Sequence, residues 1–148
     1  MKLPVVIVRD GITPPQRAYR GDAGLDLQAA EAVVLPPLER VKIGTGLRVE
    51  IPEGYVGLIA ARSGLATRHG ITHLDAPGVI DSGYRGEVHL LLYNTDRREP
   101  FKINVGDRMG QLIVVPYAAV EVHRAQSLTE SERGSRGLGS SGLASADA

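Results

Sequence analysis

The chain has 148 residues, no cysteine or tryptophan, one phenylalanine, and 17 acidic residues balanced by 17 basic ones. That length suits one domain with a substantial core, which must be built from aliphatic side chains. The absence of cysteine excludes a disulfide framework, a thiolate nucleophile and any cysteine-ligated metal. A neutral chain gives no reason to expect a nucleic-acid polymer as partner, so any phosphate site must be local.

The sequence also carries no signal for secretion or membrane insertion. Its first apolar run, Val5 to Val8, is too short for a signal peptide and is stopped by Arg9 and Asp10. No stretch approaches the length of a membrane span. We therefore expect a soluble cytoplasmic protein with no membrane partner.

Short β-rich runs alternate with glycine and proline along most of the chain. The predicted strands are Val5 to Val8, Ala32 to Leu35, Val41 to Ile43, Leu47 to Ile51, Val56 to Ala60, Val88 to Tyr93, Leu112 to Val115 and Val120 to His123. That spacing predicts an all-β antiparallel sandwich, jelly roll or barrel. One short helix is expected from Gly64 to His69, ending at Gly70 with a left-handed cap.

Two predicted strands are apolar on both faces. Leu90 to Leu92 and Leu112 to Val115 do not alternate with polar residues, so both of their faces should be covered. A second subunit would supply that cover, and so would a two-layer core within one subunit. The pattern alone leaves both arrangements open.

The stretch from Gly78 to Val88 places one carboxylate between a strand and a glycine-rich turn. Val79 and Ile80 before the turn and Val88 to Tyr93 after it predict a hairpin with Asp81 at its mouth and Tyr84 opposite. An ionised carboxylate fixed there can deprotonate a water. The alternative is that Asp81 only caps the turn, as aspartate commonly does.

From about Ser127 the composition shifts to serine, glycine, glutamate and arginine. Such a segment cannot bury enough apolar surface to order itself, which predicts a domain of residues 1–126 followed by a flexible arm of residues 127–148. A frayed terminus is one interpretation. The other is a lid, because Arg133 and Arg136 stand among glycines and serines whose polar groups suit phosphate oxygens.

Two tempting motifs are set aside. Residues 137–142 satisfy the G-x-G-x-x-G pattern, but no strand-to-helix context surrounds them. His69 and His73 are four residues apart, yet Gly70 interrupts the helix that would align them on a metal. Neither a dinucleotide fold nor a zinc site is expected.

Five segments together resemble, in order and spacing, the signature motifs of the homotrimeric dUTP pyrophosphatases (dUTPases). They are Ala23 to Leu27, Arg62 to Ala66, Gly78 to Val88, Gly106 to Leu112 and Arg133 to Gly142. The resemblance covers nearly the whole chain. It implies a distorted antiparallel jelly roll or β-barrel, the β-clip of this family, with one short helix and a C-terminal arm. It further implies a homotrimer with shared sites that uses Mg²⁺ to hydrolyse dUTP to dUMP and pyrophosphate.

The resemblance implies that several polar residues bind the triphosphate and carry out its hydrolysis. Asp81 would be the general base for a water attacking the α-phosphorus, and Asp26 would hold Mg²⁺ through its water shell. The phosphate-binding positions would be Arg62, Ser63, Gly64 and Gln111. Next to them in the sequence, Asp107 and Arg108 are expected to form a structural ion pair.

The resemblance also assigns the recognition of sugar and base. Tyr84 would pack against the deoxyribose and leave no room for a 2′-hydroxyl group. Uracil would be read mainly by the backbone of the hairpin, from Val79 and Ile80 up to His89. Asp75 falls where relatives place a polar residue near the sugar and base.

The last motif implies an arm that closes over the nucleotide. Arg133 would clamp the γ-phosphate, while Gly139 and Ser140 would add backbone and hydroxyl contacts. Leu138 stands where the motif usually carries an aromatic residue that stacks on uracil, and base stacking contributes about 1 to 3 kcal/mol. Closure of the arm is therefore expected to be weaker in this chain.

Two other functions remain as alternatives at this stage. The related dCTP deaminases place a catalytic glutamate at the position of Leu91, and a leucine cannot shuttle protons. A non-catalytic nucleotide sensor is the other alternative, against which the intact Asp81, Asp26, Arg62 and Arg133 argue.

Overall fold

The computed structural model describes residues 1–138, which form eleven strands and one helix. The elements are β1 (Val5–Ile7), β2 (Leu25–Gln28), β3 (Val33–Leu35), β4 (Arg40–Gly44), β5 (Leu47–Val49), β6 (Tyr55–Ala60), α1 (Ser63–His69), β7 (Ile71–His73), β8 (Gly78–Ile80), β9 (His89–Asn94), β10 (Phe101–Ile103) and β11 (Arg108–Pro116).

The strands form four antiparallel sheets. The largest has the order β2-β11-β6-β8, and a second has the order β4-β9-β7. Two smaller sheets pair β1 with β5 and β3 with β10. None of these sheets closes on itself within the described residues, so the predicted jelly roll is confirmed as a distorted, open one.

The core between the sheets is aliphatic, as the composition predicts. Its largest fully buried side chains are Leu27, Leu35, Ile43, Leu47, Ile51, Ile71, Leu90, Leu92, Ile103, Met109 and Leu112. Phe101, the single phenylalanine, only packs against the margin of this cluster. Burial of branched aliphatic side chains, at roughly 25 cal/mol per Å² of apolar surface, is therefore the main stabilising term.

The predicted hairpin around Asp81 is wrong in its strand pairing. β8 pairs with β6, whereas β9 pairs with β4 and β7 in a different sheet. The chain between them docks on the β4–β5 connection: the Val88 N–H donates to Leu47, and the Thr45 N–H donates to Val88. These two hydrogen bonds hold Val88 beside the second sheet, so the next residue, His89, begins β9 in that sheet.

Other differences concern short or terminal segments. Sequence analysis did not predict three strands, β2, β7 and β10, each of which is only three or four residues long. The predicted strand from Val120 to His123 is wrong. Every residue from Pro116 to Leu138 is exposed, and none from Tyr117 to Leu138 is in a strand or helix.

The helix is confirmed at the predicted place. α1 ends at Gly70, whose φ of 64° and backbone N–H bond to Ala66 form the expected left-handed cap. His69 in its last turn lies 5.2 Å, between ring centroids, from Phe101. No helix among residues 1–138 has the length and apolar character needed to cross a membrane.

This chain leaves both strands with two apolar faces partly uncovered. In β9, Leu90 and Leu92 on one face are buried, while Leu91 and Tyr93 on the other are half-buried. In β11, Leu112 is buried, while Val114 on the same face and Ile113 and Val115 on the other face are half-buried. The cover of the second face therefore stays a prediction.

Candidate active site

Three charged side chains meet at one end of the four-stranded sheet. The Asp26 carboxylate, on β2, forms an ion pair with Arg62 Nε at 3.3 Å and accepts a hydrogen bond from Arg108 Nη1 at 3.0 Å. Arg62 Nη1 also donates to the backbone carbonyl of Arg108 at 2.7 Å. Because only 13% of the Asp26 side chain is exposed, these bonds fix its carboxylate firmly.

Gln111 lies beside this ion-pair group on the central strand of the same sheet. Its backbone is in register with Asp26 on one side and Ala60 on the other. A Cβ atom on Gly24 would lie 2.1 Å from Gln111 Oε1, so the absence of a side chain at Gly24 leaves room for the amide. Asp26, Arg62, Arg108 and Gln111 are called the arginine end of the sheet below.

The predicted ion pair between Asp107 and Arg108 is wrong. Consecutive residues entering a strand point to opposite faces, and Arg108 turns to Asp26 instead. Asp107 Oδ2 accepts from the backbone N–H of Asn104 at 2.8 Å and from its side-chain amide at 3.2 Å. Arg108 therefore belongs to the candidate site, and Asp107 stabilises a turn.

The start of α1 and an open cleft flank the arginine end. Arg62 is the N-cap residue, Ser63 and Gly64 open the helix at exposed positions, and the first turn contains no acidic residue. A cleft of about 290 Å³ beside Asp26 is also lined by Arg17 and Arg108. Positive charge therefore predominates where an anion would enter.

Asp81 lies elsewhere, directly after β8, in a loop of residues 81–88 that we call the Asp81 loop. Its side chain is exposed, and its carbonyl accepts from the backbone N–H of Tyr84 at 3.0 Å, closing a turn. The Tyr84 hydroxyl donates to the Glu87 carbonyl at 2.7 Å. Its ring covers Gly86, where a Cβ atom would lie 2.6 Å from Tyr84 Cζ.

Two ion pairs anchor the Asp81 loop, and sequence reasoning missed both. Arg85 donates to the carbonyls of Ser82 and Tyr84 and pairs with Glu50 at 3.2 Å. Glu87 accepts from the backbone N–H of Gly46 at 2.9 Å and pairs with Arg9. No local pattern reveals these pairs, because Glu50 and Arg9 lie 35 and 78 residues away from their partners.

The ionisation of Glu87 is favoured by these contacts. Partial burial acts to raise the pKa of its carboxyl group, but the Gly46 N–H, the Arg9 guanidinium and the nearby His89 outweigh it. The pKa therefore lies below its ordinary value of 4.5. A carboxylate held in this way is charged at neutral pH.

The residues predicted to read sugar and base gather near Asp81. β8 is an edge strand, so the side of Val79 and Ile80 away from β6 has no strand partner in the described structure. The Asp75 carboxylate lies near Gly78, where an added Cβ atom would be 3.2 Å from Oδ2. His89 opens β9, and its Nδ1 bonds to the Glu87 carbonyl at 2.8 Å.

The arginine end and the Asp81 loop are far apart within one chain. Asp26 lies three strands from β8, which is about 14 Å at about 4.8 Å per strand. Asp26 and Ala60 are both in register with Gln111, and Ile80 is in register with Gly57. Asp81 is therefore displaced by about four residues, or about 13 Å, along the strands. The two groups are separated by about 20 Å.

The described arm residues bond to one another within a local turn. Arg133 donates to the carbonyls of Arg136 and Gly137 in its own turn, and Leu138 is fully exposed. Gly139 and Ser140, also predicted to bind the substrate, lie outside the described residues. The predicted role of Arg133 and Leu138 over a nucleotide stays a prediction.

The described side chains form no direct metal cage. Residues 1–138 contain no group of three or more histidines, aspartates or glutamates that could hold a metal ion. Both carboxylate oxygens of Asp26 already face guanidinium groups. A cation at the arginine end would therefore contact this carboxylate through water, an arrangement that suits Mg²⁺.

Comparison with known proteins decides the family. The dUTPase family model matches residues 10–142, a range that includes all but the first nine residues and the last six. The chain belongs to the dUTPase family. The resemblance read from the five sequence motifs is thereby confirmed.

Relatives within the family are similar over nearly their full length. The deoxyuridine 5′-triphosphate nucleotidohydrolase of Cutibacterium acnes is 47% identical over 141 residues, covering 95% of this chain and 91% of the relative. The protein of the same name from Leifsonia xyli subsp. xyli is 50% identical over 128 residues, covering 86% and 84%. Members of this family with that name are therefore similar to the domain and to part of the arm.

Solved structures of dUTPases share the fold. The Staphylococcus bacteriophage 80alpha dUTPase with dUpNHpp superposes with a TM-score of 0.88 at 32% identity, covering 96% of this chain and 99% of the phage protein. A mutant dUTPase from phage phi11 of S. aureus, described with a structural Mg(II) ion, superposes with a TM-score of 0.80 at 30% identity, covering 86% and 98%. The jelly roll described above is thus the dUTPase fold.

Proposed function

We propose that the protein hydrolyses dUTP to dUMP and pyrophosphate, which would keep uracil out of DNA and supply dUMP for dTMP synthesis. One observation carries the proposal: an exposed carboxylate, Asp81, follows an edge strand, and a fixed arginine end provides charge for a polyphosphate. Relatives about half identical in sequence are named as dUTP nucleotidohydrolases.

Asp81 is the proposed general base. Its carboxylate accepts a proton from a water molecule, whose oxygen attacks the α-phosphorus while the bond to the bridging oxygen of pyrophosphate breaks. Proton transfer of this kind contributes about 10²- to 10⁴-fold. The remaining acceleration must come from positioning and charge neutralisation.

The arginine end is the proposed grip on the triphosphate. Arg62 presents a guanidinium group that Asp26 already orients, and Ser63, Gly64 and Gln111 add neutral donors. Mg²⁺ would supply charge neutralisation and orientation for the triphosphate here. Asp26 would hold the ion through water, since both of its oxygens are already paired with arginines.

The Asp81 loop and β8 are the proposed reader of deoxyribose and uracil. The Tyr84 ring offers a flat wall against the sugar, fixed by its hydroxyl bond to the Glu87 carbonyl. The open edge of Val79 and Ile80 offers backbone donors and acceptors to the base. Asp75 and His89 complete the rim.

The arm is the proposed lid. Residues 127–148 follow the domain, and Arg133 would clamp the γ-phosphate when the arm closes, with Gly139 and Ser140 adding polar contacts. Closing would exclude water from the phosphates and strengthen each charged contact. Leu138 offers no stacking ring, so the arm of this chain is expected to bind less tightly than an arm with an aromatic residue there.

We also propose a homotrimer in which each site is shared between subunits. A general base must lie within one water of the attacked phosphorus, which the separation of about 20 Å between Asp81 and Asp26 in one chain forbids. A second copy would bring its arginine end to the Asp81 loop. The half-buried face of Leu91 and Tyr93 is apolar surface that such an assembly could cover.

Pyrophosphate release tests the activity. The protein is incubated with Mg²⁺ and dUTP, dCTP, dTTP or UTP in parallel, and the nucleotide products are separated by chromatography. Selective conversion of dUTP to dUMP is expected. Ammonia and a uracil nucleotide from dCTP would point to a deaminase, and no turnover of any nucleotide would overturn the proposal.

Mixing two strongly impaired variants tests the shared site. Asp81→Asn and Asp26→Asn each disable a different half, so subunits exchanged between them should rebuild intact sites. Random mixing at equal amounts restores about a quarter of the sites if base and arginine end come from different subunits. A mixture as inactive as its components, after exchange is verified by mass, would contradict sharing, as would a fully active monomer in sedimentation.

A further inference from the structure

We infer that Glu87 and Arg9 are positioning residues that set the preference for deoxyribose over ribose, by fixing one backbone carbonyl that holds Tyr84 and His89. The inference rests on the proposed function and deepens it. Neither residue needs to touch the substrate; both act through the Asp81 loop.

The Glu87 carbonyl is the point where two side chains of the proposed reader meet. It accepts from the Tyr84 hydroxyl at 2.7 Å and from His89 Nδ1 at 2.8 Å. A carbonyl oxygen has two lone pairs, and these two contacts use both. The bond also fixes the histidine, because only a protonated Nδ1 can donate to a carbonyl.

The side chain of the same residue anchors that carbonyl. Glu87 Oε1 accepts from the Gly46 N–H at 2.9 Å and forms an ion pair with Arg9 Nε at 3.0 Å, while Oε2 accepts a hydrogen bond from Arg9 Nη2 at 3.1 Å. The guanidinium thus holds the carboxylate through one charge-assisted hydrogen bond and a close ion pair, which is stronger than a bond between neutral groups. Only 16% of the Glu87 side chain is exposed, so water competes weakly for these bonds.

The Tyr84 ring has no space behind it. An added Cβ atom on Gly86 would lie 2.4 Å from the Tyr84 hydroxyl and 2.6 Å from Cζ. The ring therefore rests directly on the backbone that the Glu87 anchor holds. Any movement of residues 86 and 87 would move the ring with them.

Excluding the 2′-hydroxyl group of a ribose requires that the Tyr84 ring cannot move away from the sugar. Apolar pockets discriminate poorly against a substrate that only adds a hydroxyl group, because a small shift of the wall admits it. A ring locked from behind by Gly86 and at its tip by Glu87 cannot make that shift. The contacts of Glu87 with Arg9 and Gly46 thus hold the exposed Tyr84 ring rigidly in place, so that it excludes the 2′-hydroxyl group of a ribose.

The test compares Glu87→Gln and Arg9→Met with a matched control, Glu31→Gln. Glu31 Oε1 accepts from the Gly44 N–H at 2.8 Å, so it is a second glutamate bound to a glycine of the same β4–β5 segment, without the bond to Arg9. Two quantities are measured for each full-length protein: amide hydrogen exchange of residues 82–88, and the ratio of kcat/KM for dUTP over UTP.

Glu87→Gln and Arg9→Met are expected to speed exchange in the loop and to lower the dUTP to UTP ratio by about 3- to 10-fold, the effect of one lost hydrogen bond. Arg9→Lys, which keeps the charge but not the hydrogen bond from Nη2, should fall between them and the unaltered protein. Glu31→Gln should change neither quantity.

Unchanged exchange in Glu87→Gln and Arg9→Met would overturn the inference, and so would faster exchange with an unchanged ratio. A ratio that falls equally in Glu31→Gln would overturn it as well, because the effect would then belong to the whole β4–β5 segment. Absence of dUTP turnover in the unaltered protein would instead overturn the proposed function, an outcome that the exchange data distinguish.

Discussion

The arginine end and the Asp81 loop are fixed by different kinds of interaction. At the arginine end, Asp26 joins side chains from β11 and from the start of α1 through ion pairs. In the Asp81 loop, Tyr84 and His89 are fixed by bonds to a backbone carbonyl. Ion pairs position the guanidinium groups where a polyphosphate would bind. Hydrogen bonds to the backbone position the Tyr84 and His89 rings where a sugar and base would bind. Charge and shape recognition can therefore be disrupted separately.

Asp81→Asn should give the largest effect, on catalysis alone. The amide keeps the size of the side chain but cannot accept the proton of a water, so kcat should fall by about 10²- to 10⁴-fold. Binding of a non-hydrolysable dUTP analogue, followed by calorimetry, should be nearly unchanged because the arginine end is intact. Full turnover by this variant would show that Asp81 is not the base.

Asp26→Asn should disrupt the ion pairs of the arginine end and leave the structure of the Asp81 loop unchanged. Losing the carboxylate frees Arg62 and Arg108 and weakens the hold on the water shell of Mg²⁺, so kcat/KM should fall by about 10- to 100-fold, as for other residues that act on a metal through an intermediary. The Mg²⁺ concentration for half-maximal activity should rise.

Asp107→Asn is the matched control for that change. Asp107 is also a carboxylate beside Arg108 in sequence, yet its side chain accepts from Asn104 and not from Arg62 or Arg108 in the part of the chain that the structure describes. Its substitution should leave the Mg²⁺ requirement unchanged. An equal response of the two variants would mean that general loss of negative charge, and not the contact to Arg62, matters.

Gly24→Ala should have a smaller effect, confined to the grip on phosphate. The new methyl group would overlap Gln111 Oε1 and displace the amide, raising KM for dUTP by about 3- to 10-fold. Gln111→Ala supplies the control background, because without that amide an added Cβ atom at Gly24 displaces nothing. A Gly24→Ala effect of the same size in that background would remove Gln111 from the phosphate site.

The smallest expected effect is the dependence of stability on the charge of Glu87. Because its folded-state pKa lies below 4.5, the stabilisation it contributes is complete above that pH and is lost as the pH falls through the folded value. Urea unfolding should show the unaltered protein more stable than Glu87→Gln by about 0.5 to 1 kcal/mol at neutral pH. That difference should shrink below pH 4.5. A difference independent of pH would contradict it.

Much of the arginine end was predictable from sequence. Asp26, Arg62 and Gln111 each fall within a motif, and the register of β2, β11 and β6 brings them together. The pairing of Arg108 with Asp26 was not predicted, because adjacency in sequence suggested Asp107 instead. In a strand, neighbours along the chain point apart, and partners come from neighbouring strands.

The sequence predicted the residues and the turn of the Asp81 loop, but not which strands the loop connects. The residues of the loop indicated a turn correctly, yet the hairpin pairing was wrong, because Thr45 and Leu47 capture Val88 from a distant part of the chain. Sequence separation also hid the anchor between Arg9 and Glu87. Local patterns report on local geometry; contacts across many residues require the folded chain.

The unequal count of charges at the arginine end makes the ionic strength of the solution matter there. Two guanidinium groups face one carboxylate, so this spot is positive although the chain as a whole is neutral. Dissolved ions screen the field of such exposed charges beyond about a Debye length, roughly 8 Å in physiological salt. Added salt should therefore slow the capture of a polyphosphate at short range, while recognition of sugar and base stays insensitive to it.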